Sequence, residues 1–292
     1  MKKLVLVGAV AVLGLGASAN AASVVSLMHQ VVNSAAYGPA DLIRPVVFED
    51  NDFSRLVDVD GDGRPSVGDK ITGIIQIQSL TAGIPTNTLV ASAINNQIPP
   101  NLLLAAGGNN DLSAAYELDI VSFGPGAQIN LGVPTTYTQA LAGLGALPAG
   151  TVIAVYEDTN SNFTSNVSFA TDVANATTAG GGASLFAAIG FSGVGTEFYT
   201  IVPVSAGAIA ETVELSLNFL SGITGFDVTK NSLGTDLYGF GTLSVTTGSH
   251  WDRTSDVDFV VLHTIPTPAA AWAGLVLLGG LGAARLRRSI RI

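Results

Sequence analysis

The chain is expected to be mainly β, an antiparallel β-sandwich of immunoglobulin-like or jelly-roll type with short helical excursions. Three observations carry that expectation. β-Branched or alternating segments recur through residues 22–264, clusters of Gly, Asn, Asp and Pro separate them, and helical periodicity is thin. A mainly antiparallel set of strands must bury one face of each sheet, and packing sheet on sheet achieves this.

In chain order, Ala22 to Val32 is the first helical candidate. Ile75-Gln76-Ile77-Gln78 then alternates apolar and polar residues, as a half-buried strand does. Thr138 to Leu147 (TQALAGLGAL) is a second helical candidate, weakened by Gly143 and Gly145. Thr151 to Tyr156 (TVIAVY) reads as a buried strand. Glu197 to Val204 (EFYTIVPV), Thr212 to Phe219 (TVELSLNF), Gly241 to Thr246 and Val257 to Leu262 (VDFVVL) complete the clearer strands. Turn residues gather at Ala106 to Asp111 and Ala179 to Ala183, and the Ala/Gly-rich stretches 139–150 and 179–190 leave room for helical excursions. No repeat of solenoid or propeller type is visible.

The two ends carry targeting information. Lys2 and Lys3 form a positive start, Leu4 to Leu15 is apolar, and Ala19-Asn20-Ala21 is a small-residue cleavage site, so residues 1–21 read as a secretory signal peptide. At the other end stand Ile265-Pro266-Thr267-Pro268, an apolar run of 16 residues from Ala269 to Ala284, and Arg285, Arg287, Arg288 and Arg291. As a helix that run covers about 24 Å, enough for a short or tilted span with arginines on the cytoplasmic side. Residues 265–292 resemble the PEP-CTERM sorting signal of bacterial exosortase substrates, with Thr267 where the motif carries Glu. The resemblance implies export, transient anchoring by a transmembrane C-terminal helix, cleavage near Pro266-Thr267-Pro268 by an exosortase-type enzyme, and a final place at the cell surface or outside it. A plain C-terminal anchor is the alternative.

Between the ends lies a body with six basic and 22 acidic residues, a formal charge of −16. That field repels nucleic acid and favours divalent cations, so a nucleic-acid binder is excluded. The chain has no cysteine, which removes thiolate catalysis and Cys-ligated metal centres.

One local motif has chemistry. Residues 58–69 place Asp58, Asp60, Asp62 and Asp69 at positions 1, 3, 5 and 12 of a twelve-residue loop, with Gly63 at position 6. A hard cation such as Ca²⁺ takes six to eight oxygens, and this spacing wraps the chain around one. The Arg64 carbonyl and Ser66 would complete the shell. The loop resembles EF-hand and dockerin calcium loops, with Asp rather than Glu at its last position. Pro65 has no N–H to pair with a sister loop, and Lys70 to Leu80 reads as strand rather than helix. The pattern is closest to calcium loops that precede a strand in bacterial surface β-sandwich repeats. A solvated Asp-Gly turn without an ion is the alternative, disfavoured by the mutual repulsion of four carboxylates.

The remaining motifs are weaker. Glu157-Asp158-Thr159-Asn160-Ser161-Asn162 has acidic spacing but neither the glycine nor the closing carboxylate, and reads as a polar turn. The sequons at Asn162, Asn166 and Asn175 are expected to be chance in a bacterial chain. His29, His250 and His263 show no zinc-ligand spacing, and Gly190-Phe191-Ser192-Gly193-Val194 lacks the last glycine of a nucleophile elbow. His250-Trp251-Asp252 fits a carbohydrate-stacking or acid/base site and an exposed turn equally well. The expectation is therefore a non-enzymatic structural or adhesive protein of the surface or extracellular polysaccharide matrix. A carbohydrate-binding module and a secreted polysaccharide hydrolase are its rivals.

Overall fold

The structure is a computed structural model and describes residues 22–38, 40–84, 98–104, 110–158, 167–178, 183–203, 210–246 and 250–265. The expected signal peptide (1–21) and the sorting tail beyond residue 265 lie outside the described residues. Among those described, no helix is long and apolar enough to cross a membrane.

Helix α1 (Val24–Val32) is followed by β1 (Ile43–Val57), β2 (Lys70–Ala82), β3 (Ile98–Leu103), β4 (Asp111–Phe123), β5 (Ile129–Gly132) and β6 (Thr151–Asp158). Then come α2 (Phe169–Thr178), β7 (Ser184–Gly190), β8 (Phe198–Pro203), β9 (Ala210–Ser221), β10 (Val228–Thr229), β11 (Leu237–Val245) and β12 (Arg253–Thr264).

The mainly β expectation holds, but the sandwich does not. β1 pairs with β2, β2 with β4, β4 with β6, β6 with β7, β7 with β9, β9 with β11, β11 with β12, and β12 returns to β1, every pairing antiparallel. These strands form a closed eight-stranded barrel. Closure depends on forked strands. β4 gives residues 111–116 to β6 and 119–123 to β5, while β9 gives 211–216 to β8 and 218–221 to β7. Because β5 also pairs with β8, the gap between β4 and β9 is spanned twice, at different heights. Inward and outward residues alternate alike in a sandwich and a barrel, so periodicity could not separate the two. Long strands with bulges decide it: β1 runs 15 residues and shifts register against β2 at Glu49/Asp50. Such shifts increase strand coiling and permit closure.

The interior is a packed core. Phe48, Ile71, Ile75, Leu112, Leu118, Val213, Leu215, Phe259 and Val261 belong to one buried apolar cluster with Val24, Leu27, Met28, Val31 and Val32 of α1. This is the reverse of a membrane barrel, whose apolar side chains face outward. Helix α1, expected from the sequence, plugs the end where β4 starts and β6 stops. Ser23 Oγ accepts the Ser26 N–H at 3.3 Å, and Glu157 Oε1 on β6 accepts the Val24 N–H at 2.8 Å. A carboxylate at that terminus satisfies an orphan donor and complements the helix dipole.

A second layer covers part of the outside. The expected helix over 138–147 is instead a series of turns, because another acceptor holds its backbone. The fully buried Glu117 carboxylate accepts N–H groups from Thr138 (2.8 Å), Gln139 (2.9 Å) and Leu141 (3.3 Å). Leu141 then packs with Ala115 and Ala154 on the barrel's outer face. Nor do residues 184–190 form a helix, since they are β7, and 179–182 lie outside the described residues. The second helix lies over 169–178, where Ala176 and Val173 pack with Ile74 and Trp251.

Candidate metal centre

The twelve-residue loop is the hairpin connection between β1 and β2, at the end of the barrel opposite α1. Its expected strand exit is correct, since β2 begins at Lys70. The local fold follows from side chains that capture backbone donors. Asp58 accepts the N–H of Gly61 at 2.6 Å and of Gly63 at 2.7 Å, which curls the chain around its carboxylate. Both glycines sit at φ 77°, where a side chain would be strained. Asp69, almost fully buried, closes the ring by accepting from Val59 N at 2.8 Å and Ser66 N at 2.7 Å.

Asp58, Asp60 and Asp69 each offer a carboxylate oxygen, and the three oxygens lie within 4.8 Å of one another. Asp62 is outside that trio; its Oδ1 accepts the Arg64 N–H at 2.7 Å. Ser66 reaches the trio by donating its hydroxyl to Asp60 Oδ2 at 3.0 Å. The Gly63 N–H is the main influence holding the half-buried Asp58 acid below its ordinary value. The loop thus presents anionic oxygens in one place.

It is also fastened to the wall. Gly68 N–H donates to Ile120 O at 2.9 Å and Ile120 N–H to Asp69 O at 2.7 Å, so the loop's last residues are stitched to β4. Next in sequence, Lys70 Nζ lies 2.6 Å from Asp119 Oδ1 and 3.4 Å from Glu117 Oε1. Any ion gripped by Asp69 would therefore act on a residue already tied to β1, β2 and β4.

The other residues singled out by sequence have structural work. Glu157 holds the start of α1, while 159–166 lies outside the described residues with Asn162 and Asn166. Asn175 is on α2. His29 Nε2 meets Gly225 O at 2.9 Å and His263 Nδ1 meets Asp227 O at 2.7 Å, on either side of Phe226. Trp251 is not on an exposed turn. It is 1 % exposed and donates its indole N–H to Asp172 Oδ2 at 2.9 Å, with His250 Nε2 at 2.8 Å from the same oxygen. A tryptophan in that state offers no platform to a sugar.

Sequence reasoning missed two functional-group-bearing positions, Asp50 and Asp52, which project into the barrel from β1. In the same interior, an apolar gap lined by Phe48, Ile75, Leu112 and Phe259 holds about 30 Å³. Small-molecule sites occupy about 300–1,000 Å³. The signal was present in Phe48-Glu49-Asp50-Asn51-Asp52-Phe53, two acids at period-two spacing between aromatics, but it is legible only once β1 is recognised as a strand. No family model, curated protein or solved structure matches the chain.

Proposed function

We propose that this is an exported bacterial surface or extracellular-matrix protein, structural or adhesive rather than catalytic, whose barrel is stapled by Ca²⁺ in the loop 58–69. The observation carrying the proposal is the convergence of Asp58, Asp60 and Asp69 oxygens within 4.8 Å. Three carboxylates so placed repel one another unless a cation lies between them, and oxygen-only donors select a hard one. The proposed shell contains Asp58, Asp60, Asp62, Asp69, Ser66 and the Arg64 carbonyl. Asp62 would ligate through the oxygen that does not hold Arg64 N–H.

A staple suits the setting better than a sensor does. The loop joins two strands of a closed barrel, whereas calcium sensors need a helix pair with two arrangements. Export and sorting rest on the signal-peptide pattern and the PEP-CTERM resemblance, with an exosortase-type enzyme as the processing partner. The −16 body charge fits a soluble matrix component that meets divalent cations.

Thermal unfolding of the full chain with Ca²⁺ or chelator tests the staple. At Ca²⁺ about a hundredfold above Kd, linkage contributes about 2.7 kcal/mol, or a rise in melting temperature of about 5–10 °C. Asp60→Ala should remove the rise. Equal melting temperatures with Ca²⁺ and chelator would discard the staple, and a large Ca²⁺-dependent gain in hydrophobic-dye binding would replace it with a switch.

A further inference from the structure

The body has six lysines and arginines, and every one is engaged or placed away from the barrel interior. Arg44 donates to Asp41 O at 2.9 Å near α1, Arg55 lies outside with its guanidinium 3.6 Å from the centre of the Phe169 ring, and Arg64 is in the exposed loop. Lys70 pairs with Asp119, Lys230 with Asp236 and Arg253 with Glu211. The histidines are equally remote: His29 and His263 flank Phe226 at the plugged end, and His250 meets Asp172 outside.

Inside the barrel, Asp50 and Asp52 are 3 % and 4 % exposed. Asp50 Oδ1 accepts the Val257 N–H at 2.9 Å, and its Oδ2 has no hydrogen-bond partner. Asp52 Oδ1 accepts the Tyr116 hydroxyl at 2.9 Å. The groups facing the pair are Tyr116 from β4, Tyr199 from β8, Ser255 from β12 and the apolar Ile75 and Ile77 from β2. Asp256 and Asp258 on β12 add negative field. The hydroxyls of Ser54 and Ser255 make no well-formed hydrogen bond. Among the described residues, no positive charge answers either carboxylate. A buried anion without a counter-charge is far less favourable than its neutral acid.

We propose that Asp50 and Asp52 form a proton-binding pair inside the barrel, a built-in device that weakens the fold as pH rises from the acid range through neutrality. Burial, and then the neighbouring Asp52, raise the Asp50 acid well above its ordinary value. Burial pushes Asp52 up to about 6, against the opposing effects of Ser255 and Tyr116. A carboxyl group whose folded pKa exceeds its unfolded value holds its proton more tightly when folded. Its stabilisation is complete below the unfolded value and is lost as pH rises through the folded one. For Asp52 that window runs from about pH 4 to about pH 6 and shifts the folding equilibrium by roughly a hundredfold. Asp50 carries the decline further upward, and the two titrate as a coupled pair.

The test is the melting temperature of full-length Asp50→Asn and Asp52→Asn chains against wild type across pH. Asn keeps the oxygen that accepts from Val257 or Tyr116 but cannot ionise. Each variant should match wild type near about pH 4 and exceed it near about pH 8, with the gap opening between. A gap independent of pH, or variants weaker than wild type at the alkaline end, would overturn the proposal. Infrared spectroscopy of wild type at neutral pH provides a second reading free of mutation. The higher-frequency band of a protonated carboxyl group should be present, and its absence counts against the pair. Elemental analysis closes the remaining route: a metal ion retained by Asp60→Ala but lost in Asp50→Asn would mean that a cation, not a proton, neutralises the site.

Discussion

Replacing Trp251 probes whether α2 is part of the folded unit. The side chain is 1 % exposed and packs with Ile74 beneath it and Ala176, Val173 and Phe169 of α2 beside it, the Phe169 ring 5.4 Å away. Its N–H reaches Asp172, which is fully buried and also accepts the Val167 N–H at 3.0 Å. Trp251→Phe keeps most of the apolar contact and removes one donor from a buried carboxylate, a loss of about 1–3 kcal/mol. Trp251→Ala also leaves a cavity and should cost at least about 3–5 kcal/mol. Domains are stable by only about 5–15 kcal/mol, so the alanine variant loses a large share. Urea denaturation followed by far-ultraviolet circular dichroism, at fixed Ca²⁺, reads both values. If Trp251→Ala loses less than about 1 kcal/mol, the outer layer contributes little to the fold and the packing argument fails. If Trp251→Phe is indistinguishable from wild type, the indole–carboxylate bond is not stabilising.

Two further outcomes follow from the same reasoning. A Cβ at Gly73 would collide with the Phe53 carbonyl and come within 2.6 Å of the Tyr116 ring, so Gly73→Ala should destabilise by about 1–3 kcal/mol or more and disturb the Tyr116–Asp52 bond; an unchanged denaturation midpoint would show that the interior is looser than described. Mass spectrometry of the protein recovered from its own cells should find a start near Ala22 and a C-terminus before Ala269, and protein ending only at Ile292 would leave a plain anchor in place of a sorting signal.

What could be read beforehand depended on how local each feature is. β6, β9 and β12 are rich in Val, Ile, Leu and Phe and were visible as TVIAVY, TVELSLNF and VDFVVL. β1 is hard to read from sequence because its inward positions include Asp50, Asp52 and Ser54, so the alternation is polar on both faces. β4 (DLSAAYELDIVSF) and β7 (SLFAAIG) rely on alanines that carry little strand preference and fit only because neighbouring strands and the outer layer approach closely. The helix at 169–178 shows little apolar periodicity in the sequence, although Ser168 before it and Asp172 in its first turn are start signals. The Asp-rich loop 58–69 is legible because its carboxylates fall within twelve residues. Asp58, Asp60 and Asp69 converge, while Asp62 turns its Oδ1 to the Arg64 N–H.

Barrel closure is the feature furthest from the sequence. It requires β2 to pair with β4 across the 28 residues that separate Ala82 from Asp111, and β12 to return to β1 from the far end of the body. No local pattern encodes either event. The loop 58–69 matters to that closure because it links the two strands through which the ring is completed on both sides, β1 to β12 and β2 to β4. A ligand that fixes the hairpin therefore acts on both pairings at once.

Calorimetric titration of Ca²⁺ into the metal-free full chain decides whether loop 58–69 holds the ion. One binding event per chain is expected, abolished in Asp60→Ala, and the protein should keep its β circular dichroism with or without the ion. An absence of binding heat at about millimolar Ca²⁺, or undiminished binding by Asp60→Ala, would contradict it.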